Sequence, residues 1–259
     1  MRRRSSSAHP NDTSWVDAEA DLVAHHGSPR LGPVTVVIAA YNEAENIGRV
    51  IDSIPGQVCG LDVSVLVVVD GGHDATEDVV RSRGAYACLA PINRGQGAAL
   101  RLGYRMARDH GAKYLATTDA DGQYDAGELA GLVQPLIDDE ADLVSGSRRL
   151  GSSEVGDSMR AAGVVVFAAL ITLLTRHRVT DPAFGLRAMK AEVPATLTLE
   201  QPQYQAAELL MAAILRGYRV AERPGVMRRR RSGATKKGGN IAYGYRYARV
   251  VLATWWRDR

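Results

Sequence analysis

Cysteine is scarce in this chain, with only Cys59 and Cys88 among 259 residues. Two thiols cannot build the disulfide framework on which small secreted domains depend. The chain therefore reads as a protein of a reducing compartment, with two buried or incidental thiols and no catalytic cysteine. Long apolar runs are missing too: the main one, Gly163 to Leu174, is shorter than the roughly 18 to 20 residues that cross a bilayer. The N-terminus begins Met-Arg-Arg-Arg and continues through Ser, His, Asn and Asp without an apolar stretch, unlike a secretory signal, and Asp17, Glu19 and Asp21 argue against a transit peptide. Residues 1–32 are read as a mobile polar arm. The six histidines are scattered, and the sequence has no Walker lysine, zinc-ligand cluster or nucleophile elbow. Gly95-Gln-Gly97-Ala-Ala-Leu100 lacks the third glycine of a dinucleotide fingerprint, with Leu100 in its place.

What is present is an ordinary globular composition, 46% hydrophobic and 24% charged, and a hidden polarity of charge. The net charge is +3, yet 13 of the 32 basic residues lie from Arg216 onward, where the only acidic ones are Glu222 and Asp258. A basic end of this kind faces an anionic partner: nucleic acid, a phosphorylated ligand or anionic lipid.

Val34 to Ala39 and Val63 to Val69 are β-branched runs with no polar alternation, the pattern of strands buried on both faces of a parallel sheet. Helical spacing follows each, over Glu43 to Ile54 and Ala75 to Arg83. The rhythm continues with a strand at Tyr86 to Leu89, a helix from Gly97 to about His110, a strand at Lys113 to Thr118, a helix at Ala126 to Asp138 and a strand at Asp142 to Ser145. Alternating βα units predict a mostly parallel sheet with helices on both faces and ligands at the carboxyl ends of the strands. After Gly146 the rhythm lapses. An apolar segment at Met159 to Leu174, a helix at Gln203 to Leu215, a strand pair within Tyr218 to Arg230 and a basic aromatic segment at Ile241 to Trp256 read as a lid and a membrane-proximal appendage.

The polar residues cluster where that architecture puts ligands. Asp119-Ala120-Asp121-Gly122-Gln123 ends a strand with two carboxylates spaced i, i+2 and an amide, which suits a hard divalent cation, Mg²⁺ or Mn²⁺, holding a diphosphate. A solvated turn or a helix cap from Asp121 or Asp125 reads equally well from those residues alone. With Ala40-Tyr41-Asn42-Glu43, Asp70-Gly71-Gly72 and Asn93-Arg94-Gly95-Gln96-Gly97 in the same order along the chain, the set resembles the family-2 glycosyltransferases of the GT-A fold. Nearest is the branch that makes polyprenyl-phosphate sugars, of the dolichyl-phosphate mannose and glucose synthase type, and the likeness covers roughly residues 34–240.

The resemblance implies roles position by position. Ala40, Tyr41, Asn42, Glu43 and Asp70 would hold the base and ribose of a nucleotide-sugar, with Gly95 and Gly97 allowing close approach of the backbone. Asp119, Ala120 and Asp121 would line the diphosphate, with Asp119, Asp121 and Gln123 around the metal. Arg148, within Val144-Ser-Gly-Ser-Arg148, and Arg160 would face the acceptor phosphate. Asp181, within Asp181-Pro-Ala-Phe-Gly-Leu-Arg187, and Glu208 would border the sugar. Arg230, Gly233, Thr235 and Lys236 would close over the diphosphate. The chain departs from the family in having Ala39 where a proline is common and Val69 where a first carboxylate is common.

The implied reaction is an inverting, metal-dependent transfer of a sugar, from a UDP-sugar in preference to GDP-mannose, onto polyprenyl phosphate. The metal, Asp121, Arg230 and Lys236 would serve the leaving diphosphate, and Arg148 and Arg160 the incoming phosphate. That acceptor is an anion already and needs no general base, whereas a hydroxyl acceptor would. A hydroxyl-acceptor transferase of the same fold, making a polysaccharide or glycolipid, is the alternative, and a basic module binding nucleic acid or an anionic surface ranks below both. The expected organisation is an arm at 1–32, a GT-A domain at 33–239 divided at 146/147, and a basic aromatic helix at 240–259, in a cytoplasmic protein held peripherally at the inner face of the membrane, with homo-oligomers left open. Gly163 to Leu174 reads either as core or as an interfacial helix guiding a polyprenyl tail, beside Trp255, Trp256, Arg246 and Arg249.

Overall fold

The computed structural model describes residues 14–27, 29–230 and 240–259. Its centre is an eight-stranded sheet. Strand β1 (Val34–Ala40) lies between β3 (Leu61–Asp70) and β5 (Tyr114–Thr117), parallel to both, and β4 (Tyr86–Ala90) continues the parallel set beyond β3. The short β2 (Gln57–Val58) pairs antiparallel with the start of β3. On the other side β7 (Arg187–Lys190) is inserted antiparallel between β5 and β6 (Leu143–Ser153), and β8 (Val220–Met227) runs parallel to β6 at the far edge. The carboxyl ends of β4, β3, β1, β5 and β6 therefore open on one rim of the sheet.

Alternate residues of the central strands feed two cores. Val34, Val36, Ile38, Val67 and Val69 pack with helices α2 (Ala44–Ser53), α3 (Thr76–Ser82) and α5 (Leu129–Ile137). Val37, Leu66 and Val68 pack on the opposite face with α1 (Ser14–His26), α4 (Gln96–Asp109), α8 (Gln205–Leu215) and α9 (Asn240–Asp258). Each fully buried aliphatic side chain contributes about 1.5–3 kcal/mol relative to exposure, which is why strands without polar residues seat at the centre.

Several expectations need correction. Within the stretch read as an arm, residues 14–26 form α1, whose Ala18 and Leu22 are buried and whose His26 ring stands 4.9 Å from that of Tyr86 on β4; polar composition hid a two-residue apolar face. The strand pair within Tyr218 to Arg230 is one strand, β8, in the main sheet. The second half is thus part of the same sheet and not a hairpin appendage. Strand β7 was not anticipated, because its four residues, Arg-Ala-Met-Lys, carry no β-branched signal.

The apolar run belongs to α6 (Ser158–Thr175), followed by the short α7 (Val193–Thr196). Helix α6 has 18 residues with mean hydropathy 1.8 and is, by length and composition, long and apolar enough to cross a membrane, so the shortness inferred from Gly163 to Leu174 alone does not hold. Only Ala168 and Ile171 of α6 are buried, and Met159, Val166 and Leu173 are more than 60% exposed. A core role for this run does not hold either.

Candidate active site

The rim of the sheet collects the residues singled out in the sequence. After β1 the chain turns at Asn42, in a left-handed conformation (φ 50°), and its side-chain oxygen accepts from the His73 N–H at 3.0 Å, tying the β1 and β3 loops together. Glu43 is buried next to it. Its N–H donates to Thr76 Oγ1 (2.9 Å) and its carboxylate accepts from Asn46 Nδ2 (2.9 Å) and pairs with Arg230 (2.8 Å). Tyr41 stands half-exposed at the opening and Ala40 is buried below it. Asp74 completes this corner, accepting from the N–H groups of Ala44 and Thr76 and from the Thr76 hydroxyl. Burial raises its pKa, but those hydrogen bonds outweigh the effect and hold it below the usual carboxylate value. The two-loop corner thus has a carboxylate anchor, Asp74, five residues after Val69, the position where the family's first carboxylate is absent.

Asp70, at the end of β3, is almost completely buried. One oxygen accepts from the Arg94 N–H (3.0 Å) and the other from the Gly95 N–H (2.8 Å), so its carboxylate fixes the loop after β4. Gly95 and Gly97 are demanded by packing: a Cβ on Gly97 would lie 1.9 Å from the Gln201 carbonyl oxygen and one on Gly95 2.7 Å from that of Pro202. The Gly97 N–H donates to the Pro202 carbonyl at 2.9 Å, closing the contact. Glu208, fully buried on α8, serves the same junction. Its oxygens accept from the N–H groups of Glu200 (2.9 Å) and Gln201 (3.0 Å), and it pairs with Arg257 of α9 at 3.1 Å. Glu208 therefore supports the Gly-rich loop from behind.

The carboxylate turn follows β5. Asp119 accepts from Gln96 Nε2 at 2.9 Å, and among the described residues no cation pairs with it. Gly185 stands against it so closely that a Cβ would lie 3.1 Å from both carboxylate oxygens. Asp121 accepts from the Gln123 N–H (3.1 Å), while Gln123 Nε2 donates to the Arg228 carbonyl (3.1 Å) and Ala120 is buried between the two carboxylates. Among the described residues no group of three or more His, Cys, Asp and Glu gathers as a metal cage. The two carboxylates, of which Asp119 has no cationic partner among the described residues, suit a Mg²⁺-type ion instead, which takes one or two protein carboxylates and completes its shell with phosphate oxygens and water.

The predicted acceptor arginines are engaged. Arg148 donates from Nε (2.6 Å), Nη2 (3.3 Å) and its backbone N–H (3.1 Å) to the carboxylate of Asp181, which is completely buried, and Nη1 reaches Met227 Sδ at 3.0 Å. Burial disfavours the Arg148 charge, and Asp181 more than offsets this, holding its pKa above the ordinary arginine value. Asp181 is thereby a partner for Arg148, and Glu222, absent from the sequence-derived set, holds the N–H groups of Thr180 (2.8 Å) and Asp181 (2.9 Å). Arg160 starts α6, where it pairs with its own N-cap Asp157 at 3.2 Å and keeps a half-exposed head. Arg187 was read only as the end of a motif. It is buried and donates to the carbonyls of Phe184 (2.7 Å), Pro182 (2.9 Å) and Ala206, organising the floor. Gln96, Glu222 and Arg187 are ordinary polar residues in sequence, and only the folded chain shows what they hold. Lys236, with Gly233 and Thr235, lies outside the described residues.

The sequence pattern of glycosyl transferase family 2 matches residues 35–194, more than half the chain. The chain belongs to this family. As a family-2 glycosyltransferase it is 32% identical, over 85% of its length and 94% of the relative's, to a dolichyl-phosphate hexose transferase of Haloferax volcanii. It is 26% identical to an undecaprenyl-phosphate mannosyltransferase of Micrococcus luteus, over 80% and 88% of the two chains. Among solved structures, glucosyl-3-phosphoglycerate synthase from Mycobacterium tuberculosis, in complex with Mn²⁺, UDP and glucosyl-3-phosphoglycerate, superposes with a TM-score of 0.68 at 22% identity, covering 98% of this chain and 86% of that one. The family-2 transferase therefore has the GT-A architecture expected from its motifs.

Proposed function

We propose that this transferase moves a sugar from a nucleotide-sugar, a UDP-sugar in preference to GDP-mannose, onto polyprenyl phosphate at the inner face of the cell membrane. The observation that carries the reading is the sharing of one rim by carboxylates and arginines. Asp119 and Asp121 lie at the end of β5, Arg230 is held at Glu43, and Arg148 and Arg160 lie at β6 and the start of α6. The likeness to relatives named for dolichyl- and undecaprenyl-phosphate transfer supports the choice of acceptor.

In an inverting transfer an acceptor phosphate oxygen forms the new bond to the sugar C1 on the face opposite the departing diphosphate, which keeps the electron pair of the broken C1–O bond. The acceptor oxygen carries no proton to remove, so no side chain has to act as base. Asp119, Asp121 and Gln123 would hold Mg²⁺ or Mn²⁺, which when bound supplies counter-charge to the diphosphate. Arg230 adds positive charge on the same side, Tyr41 offers a ring to cover the base, and Asp70 keeps the Gly-rich loop in place beneath it; Lys236 lies outside the described residues and would serve the diphosphate as its motif implies. Arg148, fixed by Asp181, presents its remaining N–H groups toward the acceptor together with Arg160.

Helix α6 and the end of α9 supply the membrane contact in this reading. Met159, Val166, Leu173 and Trp256 form exposed apolar surface beside Arg160, Arg246 and Arg249. Phe167 of α6 packs on Tyr247 of α9 at 4.3 Å, and Ala168 and Ile171 are buried, so one side of α6 belongs to the protein. That division favours a helix lying in the interface over one surrounded by lipid. The test is transfer of radiolabelled sugar from a nucleotide-sugar to polyprenyl phosphate. Chelation of divalent metal, or Asp121→Asn, should abolish product, and full activity of that variant without metal contradicts the proposal.

A further inference from the structure

The C-terminal helix brings to the rim a residue with no role in the set described above. Tyr243 and Tyr247, one turn apart on α9, form a cluster of rings with Tyr204, at the start of α8, and Phe167 of α6. Tyr204 meets Tyr243 edge-on at 4.9 Å and Tyr247 at 5.5 Å, and Phe167 covers Tyr247 at 4.3 Å. The phenol of Tyr243 is within electrostatic range of Arg160, Arg148, Asp119 and Asp181. These are the residues assigned to the two ends of the reaction, the carboxylate that serves the donor and the arginines that serve the acceptor. Tyr204 feels Tyr243 and Arg246 instead. Tyr247 is buried behind Tyr243, and its hydroxyl has no hydrogen-bond partner among the described residues although Arg187, Asp181 and Arg148 are in range. A buried hydroxyl left unsatisfied is costly.

Arg148 has only part of its guanidinium left for an incoming phosphate. Its Nε, one Nη2 hydrogen and its backbone N–H are committed to Asp181, and Nη1 faces Met227. An acceptor anion held by Arg148 and Arg160 therefore leaves place for a further donor, and the half-buried phenol of Tyr243, within electrostatic range of both arginines, can supply one. Burial raises the Tyr243 pKa, so the group is a neutral O–H donor at physiological pH and adds no negative charge beside the phosphate.

We propose that Tyr243 donates a hydrogen bond to the phosphate of the acceptor, with Arg148 and Arg160 on either side, which makes α9 part of the acceptor site. The inference rests on the reading that the acceptor is a phosphate. The ring cluster holds Tyr243 in place at the rim, and Asp181 occupies much of the Arg148 guanidinium.

The experiment compares wild type, Tyr243→Phe and Tyr204→Phe as full chains, measuring KM for polyprenyl phosphate, KM for the nucleotide-sugar, kcat and Tm. Phenylalanine keeps the ring contacts and removes only the hydroxyl. Tyr243→Phe should raise the acceptor KM about tenfold or more, the loss expected for one hydrogen bond to a charged group, with nucleotide-sugar KM and Tm unchanged and Tyr204→Phe like wild type. Kinetics of Tyr243→Phe equal to wild type overturn the inference. So does a parallel rise in both KM values or a fall in Tm, since either marks a packing role. Wild type that makes no polyprenyl-phosphate sugar but glycosylates a hydroxyl overturns the proposed function itself, and the phosphate contact with it.

Discussion

The Arg148–Asp181 pair offers the sharpest perturbation. Asp181 is completely buried and takes two guanidinium bonds, the nearer at 2.6 Å, while Arg148 is 18% exposed. Arg148→Met keeps the aliphatic stem and deletes the charge. The Asp181 carboxylate then retains the N–H groups of residue 148 and of Ala183 (3.3 Å) but has no counter-charge. Removing one partner of a buried pair costs about 3–5 kcal/mol, because the other charge stays desolvated. For a chain of this size each kcal/mol moves Tm by about 2–4 °C, which gives a fall of roughly 6 to 20 °C. Asp181→Asn should cost less, since Arg148 can turn its head toward solvent. The double variant should recover much of the loss of Arg148→Met, a non-additivity that marks a direct interaction. Thermal unfolding followed by circular dichroism, with urea midpoints as a second measure, reads all three. If Arg148→Met unfolds within about 2 °C of wild type, the pair is not the structural element described.

Other expectations follow from the same geometry. Asp119→Asn should reduce transfer by about a hundredfold or more while leaving Tm unchanged, because among the described residues Asp119 accepts one neutral hydrogen bond, from Gln96; a matched loss of stability would contradict that. Gly97→Ala, whose Cβ would lie 1.9 Å from the Gln201 carbonyl oxygen, should destabilise by about 1–3 kcal/mol and weaken nucleotide-sugar binding, read by denaturation and ligand titration. Asp142 is held well below the usual carboxylate range, first by the hydrogen bond from Arg219. Its folded pKa is lower than its unfolded one, so its contribution is complete above the unfolded value, about 4, and is lost as pH falls below that toward the folded value. Asp142→Asn should therefore flatten the acid-side decline of the urea midpoint, and an unchanged slope would refute this. Leu173→Glu, at an exposed position on α6, should cut co-sedimentation with anionic liposomes without changing Tm.

The sequence revealed the first half of the fold well, because buried parallel strands announce themselves as β-branched runs and their helices by spacing. Strand β1 was expected at Val34 to Ala39 and spans Val34–Ala40; α3 was expected at Ala75 to Arg83 and spans Thr76–Ser82. The second half was harder. Strand β7 has no β-branched residue, and the stretch that reads as a strand pair is one edge strand, β8, which carries Pro224 and Gly225 where a missing N–H is tolerated. The apolar run of α6 reads in sequence either as core or as an interfacial helix, because apolar spacing alone does not say which way the face points, and only the folded chain shows most of its apolar residues facing outward. The motif residues do collect on one rim. Their partners were not legible: nothing in one dimension joins Arg148 to Asp181, Glu43 to Arg230 or Glu208 to Arg257, pairs separated by 33, 187 and 49 positions.

The identity of the acceptor is tested most directly by offering the purified chain, with Mg²⁺ or Mn²⁺, polyprenyl phosphate and a panel of UDP- and GDP-sugars, and weighing the lipid product by mass spectrometry. The predicted result is a single hexose joined through phosphate to the polyprenyl chain, formed from a UDP-sugar and lost when the unphosphorylated polyprenol is supplied instead. Sugar found on the polyprenol hydroxyl or on another hydroxyl acceptor, with polyprenyl phosphate unchanged, would contradict it.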